Sequence, residues 1–197
     1  MKTRNIVIIL IVGLIVILGG CSLSNYNGLV RSDQNVKNAW SNVETNYQRR
    51  TDLYNSVIKV VEGSANFEKS TLTDVIAARS KATSITVNIN DPATLKAYEQ
   101  AQSQFQGSFS KLMAVAEAYP NLKTTQAFQD FQVQIEGTEN RINIARQDFN
   151  AAVNEYNLAC RTFPGNIFAG MFGFHTRDYF QAKAGTETPP DIKFNIK

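Results

Sequence analysis

Between Phe128 and Phe163, eleven residues keep one register: Phe128, Phe131, Ile135, Thr138, Ile142, Ala145, Phe149, Ala152, Tyr156, Ala159 and Phe163 follow one another at steps of three and four. That spacing predicts one helix of roughly ten turns with a single apolar stripe. So long a stripe is buried only by other long helices, which directs the chain toward an all-α bundle and away from sheet architectures. Thr124 or Thr125 is placed to cap its start, and Pro164-Gly165 to end it. Within it, EGTENRINIARQDFNAAVNEY from Glu136 to Tyr156 carries many polar residues on or beside the stripe. We read this as a polar seam inside the bundle.

The remaining chain supplies the partners. Leu29, Val36, Trp40, Val43, Tyr47, Tyr54, Val57 and Val61 predict a first helix of the body, with Asp33 and Arg50 at the two stripe positions that lack an apolar residue. Asn25–Gly28, NYNG, reads as a turn separating this helix from what precedes it. After a loosening at Gly63–Asn66, Leu72, Ile76, Arg79 and Ala82 predict a second helix. Asp91-Pro92 starts a third through Leu95, Tyr98, Phe105, Phe109, Leu112, Ala116 and Tyr119, interrupted at Gln102 and ended by Pro120. Ile85, Val87 and Ile89 are the one period-two candidate. The fold expected is an elongated antiparallel bundle of three to four long helices behind an N-terminal membrane anchor. The body spans 22–182 and an extended tail 183–197.

The first 21 residues form a distinct leader. Lys2 and Arg4 precede fifteen uncharged, mostly apolar residues, Ile6 to Gly20, and then Cys21. This is short for a membrane span and suits a signal-peptide core. Leu18-Gly19-Gly20-Cys21 resembles the bacterial lipobox, which makes Cys21 a candidate for lipidation. The other reading is a single-pass helix continued to Leu23, eighteen residues in all. Either way the basic start stays cytoplasmic and the body lies outside the cytoplasm.

Charge and chemistry narrow the function classes. Two of the 20 basic residues lie in the leader, leaving 18 against 17 acidic, a net of +1. A nearly neutral body without a basic, aromatic-laced run excludes nucleic acid as partner. Cys160 reads as a small buried apolar residue, and the one histidine, His175, has no nucleophile beside it. No HExxH, paired-cysteine spacing, GxSxG elbow or phosphate-cradling loop is present, so no catalytic, cofactor or metal residue is assigned. Ile167, Phe168, Met171, Phe172 and Phe174 crowd together after Pro164, as a short helix closing the bundle end or as a patch for lipid or a partner.

Two arginines, Arg50 and Arg79, fall in apolar stripes, while Glu136 and Glu139 flank the stripe of the last helix with Arg146 two turns on. A buried guanidinium needs a carboxylate, so these five residues are the candidate members of a structural polar layer that fixes helix register.

Several segments resemble one family. YNGLV at Tyr26–Val30, Ala39-Trp40, QRRTDL at Gln48–Leu53, EAYPNLK at Glu117–Lys123, EGTENRINIAR at Glu136–Arg146, and FPGNIFAGMFGF at Phe163–Phe174 are similar to the LemA family. Family members follow RxDL with IPNLV; here Tyr54-Asn55-Ser56-Val57 stand instead, without the proline that would bend the first helix. The resemblance implies a bacterial N-terminal membrane segment, an extracytoplasmic helical bundle and no established enzymatic activity, so it carries over no catalytic residues. The reading that follows is a non-enzymatic interaction or scaffold module recruiting envelope or membrane proteins. The alternative is membrane remodelling or lipid sensing through Ile167–Phe174.

Overall fold

The computed structural model describes residues 3–63, 68–120 and 125–181, with side chains for all of these except 3–9 and 18. Five helices lie among them: α1 (Thr3–Glu62), α2 (Lys69–Ser84), α3 (Pro92–Ala116), α4 (Gln126–Arg161) and α5 (Gly165–Phe172). The described residues contain no strand. The chain is all-α. The tail from 183 lies outside the described residues.

Contacts fix the directions. Trp40 meets Phe149 and Arg50 meets Glu139, so α1 and α4 are antiparallel. Trp40 also meets Tyr98 and Tyr54 meets Phe105, so α1 and α3 run the same way. Lys81 donates to Gln104, joining antiparallel α2 and α3. The result is an up-down-up-down bundle in which α1 packs most closely on α4, and α2 on α3.

Several ends follow sequence chemistry. Asp91 accepts from the Ala93 amide at 2.9 Å with Pro92 at the first helical position, and Thr125 caps α4 through the Phe128 amide. Gly173, with φ of 76°, closes α5 in the left-handed conformation, and the Phe174 amide reaches back to the Ala169 carbonyl at 2.9 Å.

Three expectations are corrected. NYNG is no turn: α1 runs unbroken through it. Asn25 Nδ2 donates to the Cys21 carbonyl at 2.8 Å and Ser32 Oγ to the Leu29 carbonyl at 3.0 Å, while Gly28 sits in open space. One helical glycine costs only about 1 kcal/mol, which helix on both sides outweighs. Second, the inner face of α2 is Val75 and Ala82, with Leu72 and Ala78 partly buried; Ile76 and Arg79 lie outside. Third, the last turns of α4 bury Val153, Asn157 and Cys160, and Phe163 is 81% exposed. A strict three/four count drifts from a 3.6-residue helix over so long a run. Ile85, Val87 and Ile89 lie in a non-helical connection, half-buried against the core rather than paired. Where family members carry a proline, α1 continues helical through Tyr54–Val57.

The core is two clusters stacked along the bundle. The near one gathers Leu29, Val36, Trp40, Val43 and Tyr47 of α1 against Ile142, Ala145, Phe149, Val153 and Tyr156 of α4. The far one gathers Tyr54, Val57 and Val61 with Phe105, Phe109, Leu112 and Phe128. What lies between them is polar.

Candidate functional site

Arg50 lies at that boundary, 2% exposed, one turn from Tyr47 and one turn from Tyr54. Its Nη1 is 3.4 Å from Glu139 Oε1 on α4, and its Nη2 donates to the Gln102 carbonyl at 3.2 Å and to Gln102 Oε1 on α3. Glu139 also accepts from the Tyr54 hydroxyl at 3.1 Å and from Gln106 Nε2 at 3.1 Å. Three helices thus meet at one height. The guanidinium lies 4.7 Å from the Tyr47 ring centre and 5.8 Å from that of Tyr54, while its buried Nε makes no hydrogen bond. Aromatic faces compensate for part of the hydration it gives up. Burial, then the Glu139 charge, pushes the Tyr54 hydroxyl up from its ordinary value; burial does the same to Tyr47.

Of the five residues named for a polar layer, the structure brings together Arg50 and Glu139. Arg79 is exposed because α2 turns Val75 and Ala82 inward, and Glu136 is exposed one turn from Glu139. Arg146 is half-buried elsewhere, with Nη2 donating to the Gln181 carbonyl at 2.9 Å and the guanidinium 4.8 Å from the Phe180 ring. Gln102, Gln106 and Tyr54 take the vacant roles. Gln102, noted in the sequence only as an interruption, is 4% exposed because it serves Arg50.

A second polar knot went unread. After α5 the chain runs extended along α4 from Phe174 to Gln181. Asn157 Oδ1 accepts from the Arg177 amide at 2.8 Å while its Nδ2 donates to the Arg177 carbonyl at 2.9 Å. Asn150 does the same for Phe180, at 2.8 and 3.1 Å. Seven residues of helix and three of extended chain each cover about 10 Å, so the two amides match every third residue of the strap. Arg177, 7% exposed, then reaches across: its Nε donates to Asn90 Oδ1 at 2.9 Å and its Nη2 pairs with Asp33, which also holds Lys37 at 2.8 Å. Asp33 at an apolar stripe position was the signal for a distant cation. Phe180 enters the near core, stacked at 5.8 Å on Trp40.

Neither knot presents a nucleophile with an adjacent base. Among the described residues no group of three or more His, Cys, Asp or Glu side chains is placed to hold a metal. Cys160 is buried, which pushes its thiol up, and His175 is exposed. Cys21 is exposed on α1.

The LemA family profile matches residues 39–194. The chain belongs to the LemA family. Among curated relatives, magnetosome protein MamQ 2 of Paramagnetospirillum magneticum is 27% identical over 186 aligned residues, covering 85% of this chain and 68% of that protein. Magnetosome protein MamQ of Magnetospirillum gryphiswaldense is 25% identical over the same shares, and protein LemA of Metamycoplasma hominis 28% over 156 residues, 79% of this chain and 68% of its own. The LemA-family match takes in Arg50, Glu139, Asn157 and Arg177, and so covers residues of both polar knots.

Proposed function

We propose that this chain is a membrane-anchored, non-enzymatic interaction module whose bundle stands outside the cytoplasm and recruits envelope or membrane proteins. The observation that carries the reading is the continuity of α1. From Leu10 to Ile17 its apolar side chains are 52–68% exposed, yet the same helix forms the spine of the bundle from Leu29 onward. Among the described residues it is the one helix long and apolar enough to cross a membrane. A fully apolar, uncovered helix is stable only in lipid. Lys2 and Arg4 at its start support a cytoplasmic N-terminus. The magnetosome relatives are consistent with a membrane setting.

The non-enzymatic part rests on what the polar residues do: both buried arginines are engaged by carboxylates and amides of the fold itself. Photo-crosslinking in intact cells from exposed positions such as Val133 and Ile144 tests the reading. A reproducible set of envelope proteins is the expected result. Recovery of none, or catalytic turnover lost on a point substitution, would count against it. Alkaline carbonate extraction tests the anchor separately.

A further inference from the structure

α5 contains no charged residue, and only one side of it meets the bundle. Gly165 and Ala169 are buried and Phe168 is half-buried against the near core, while Ile167 is 54%, Met171 68% and Phe172 46% exposed, with Phe163 at 81% just before. A helix that is apolar on its open side as well as its packed side asks for a second apolar environment. Its position says which. α5 packs on α1 and α4, and Phe172 lies edge-on to Tyr26 of α1 at 4.9 Å, with Phe174 beside the same ring at 6.1 Å. Tyr26 is one turn beyond Leu23, itself 67% exposed, where the apolar leader ends. Eighteen helical residues from Ile6 to Leu23 span about 27 Å, close to a hydrocarbon core of about 30 Å. That puts Tyr26 in the headgroup layer, where aromatic rings collect. The unbroken helix holds α5 at the same height.

Resting on the membrane-anchor reading of α1, we propose that α5 and Phe163 form a second membrane contact, lying along the headgroup–acyl boundary of the leaflet through which α1 leaves the bilayer. Exposed Arg161 at the α4 terminus faces anionic headgroups beside it. A lipidated Cys21 in place of a spanning helix sets the bundle at the same height. The contact makes the bundle sit on the membrane at two points.

The test uses the full chain in phosphatidylcholine/phosphatidylglycerol vesicles whose acyl chains are brominated near the headgroup. Ile167→Trp and Met171→Trp are compared with the parent and with Val133→Trp, an exposed apolar site on the far half of α4. Trp40, buried about 25 Å beyond Leu23 along α1, is the internal reference. The expected result is that the added tryptophan at 167 or 171 emits to the blue and loses at least half its intensity to the bromines, while the parent and Val133→Trp are unquenched. Unquenched emission at both positions from vesicle-bound protein overturns the contact and leaves the anchor standing. That holds whether the residue is wetted or covered by a second copy. Failure of the parent to float with vesicles overturns both readings.

Discussion

Asn157 and Arg177 exchange a pair of hydrogen bonds, amide side chain to backbone, at 2.8 and 2.9 Å. Through that pair, α4 holds the strap that carries a buried guanidinium to Asp33 of α1. Asn157→Ala strands a buried backbone N–H and carbonyl, each worth about 1–3 kcal/mol when unmet. We expect a loss of about 2–3 kcal/mol in urea unfolding and faster proton exchange at the Arg177 amide. Unchanged exchange at Arg177 would show the strap to be held by other contacts.

Arg50 and Glu139 separate the two halves of the core, and removal of one partner leaves the other in a poor environment. Stranding a fully buried charge costs about 3–5 kcal/mol; Glu139 remains 24% exposed in its side chain, which lowers the cost. Arg50→Ala is expected to destabilise by about 2–3 kcal/mol. The double variant Arg50→Met/Glu139→Gln should recover most of it, since methionine fills the space between the tyrosines and the new side-chain amide keeps a carbonyl for Tyr54. Chemical denaturation of the four-member cycle checks this, and an additive double variant contradicts it. We propose that the layer sets helix register, which disulfide trapping between α1 and α4 in Arg50→Met would report as a shifted pairing.

Gly165 approaches α4 where no side chain fits. A Cβ there would lie 2.3 Å from the Ala159 carbonyl oxygen, a backbone atom that cannot rotate away. Gly165→Ala is expected to push α5 off the bundle and destabilise the fold by about 2 kcal/mol or more. A melting temperature within error of the parent would refute the close approach.

Alkaline pH should unfold the bundle. Burial raises the folded-state values of Tyr47, Tyr54, Tyr98 and Tyr156 above the ordinary tyrosine value near 10. The folded form therefore keeps protons that the unfolded form sheds, so their contribution is intact below about pH 10 and declines above it. Each group removes at most about 1.4 kcal/mol per pH unit. The part of the tyrosinate band that belongs to these four tyrosines should rise in one cooperative step together with loss of helical dichroism. A gradual rise with helicity retained would contradict it.

Cys21 distinguishes the two anchors. If it is lipidated, labelled fatty acid enters the parent and not Cys21→Ala. If α1 spans, neither protein incorporates fatty acid and both stay in the membrane fraction on carbonate extraction.

Caps and the long stripes of α1, α3 and α4 were readable in the residues because local chemistry dictates them: Asp91 and Thr125 satisfy orphan amides wherever a helix follows. NYNG misled because its turn propensity is small beside the helix continuing through it. Arg79 misled because a short helix with alanines on two sides, Ala77 and Ala78 beside Ala82, leaves its inward face open until neighbours are known. Arg50 announced itself as a charge in a stripe, but its partner Gln102, like Gln106 beside Glu139, belongs to another helix and carries no charge to flag it. The strap was hard to read, since Arg177 is 144 residues from Asp33, and the acid in the stripe and the seven-residue spacing of Asn150 and Asn157 do not say which segment answers them.

The absence of any joint in α1 has a mechanical meaning. From Ser22 to Glu62 the helix extends about 60 Å with no proline, bulge or loop to absorb bending. A sideways pull on the far end acts on the membrane segment as a lever of that length, and a twist of the bundle turns the segment with it. A jointed chain would behave as a tether, transmitting tension alone.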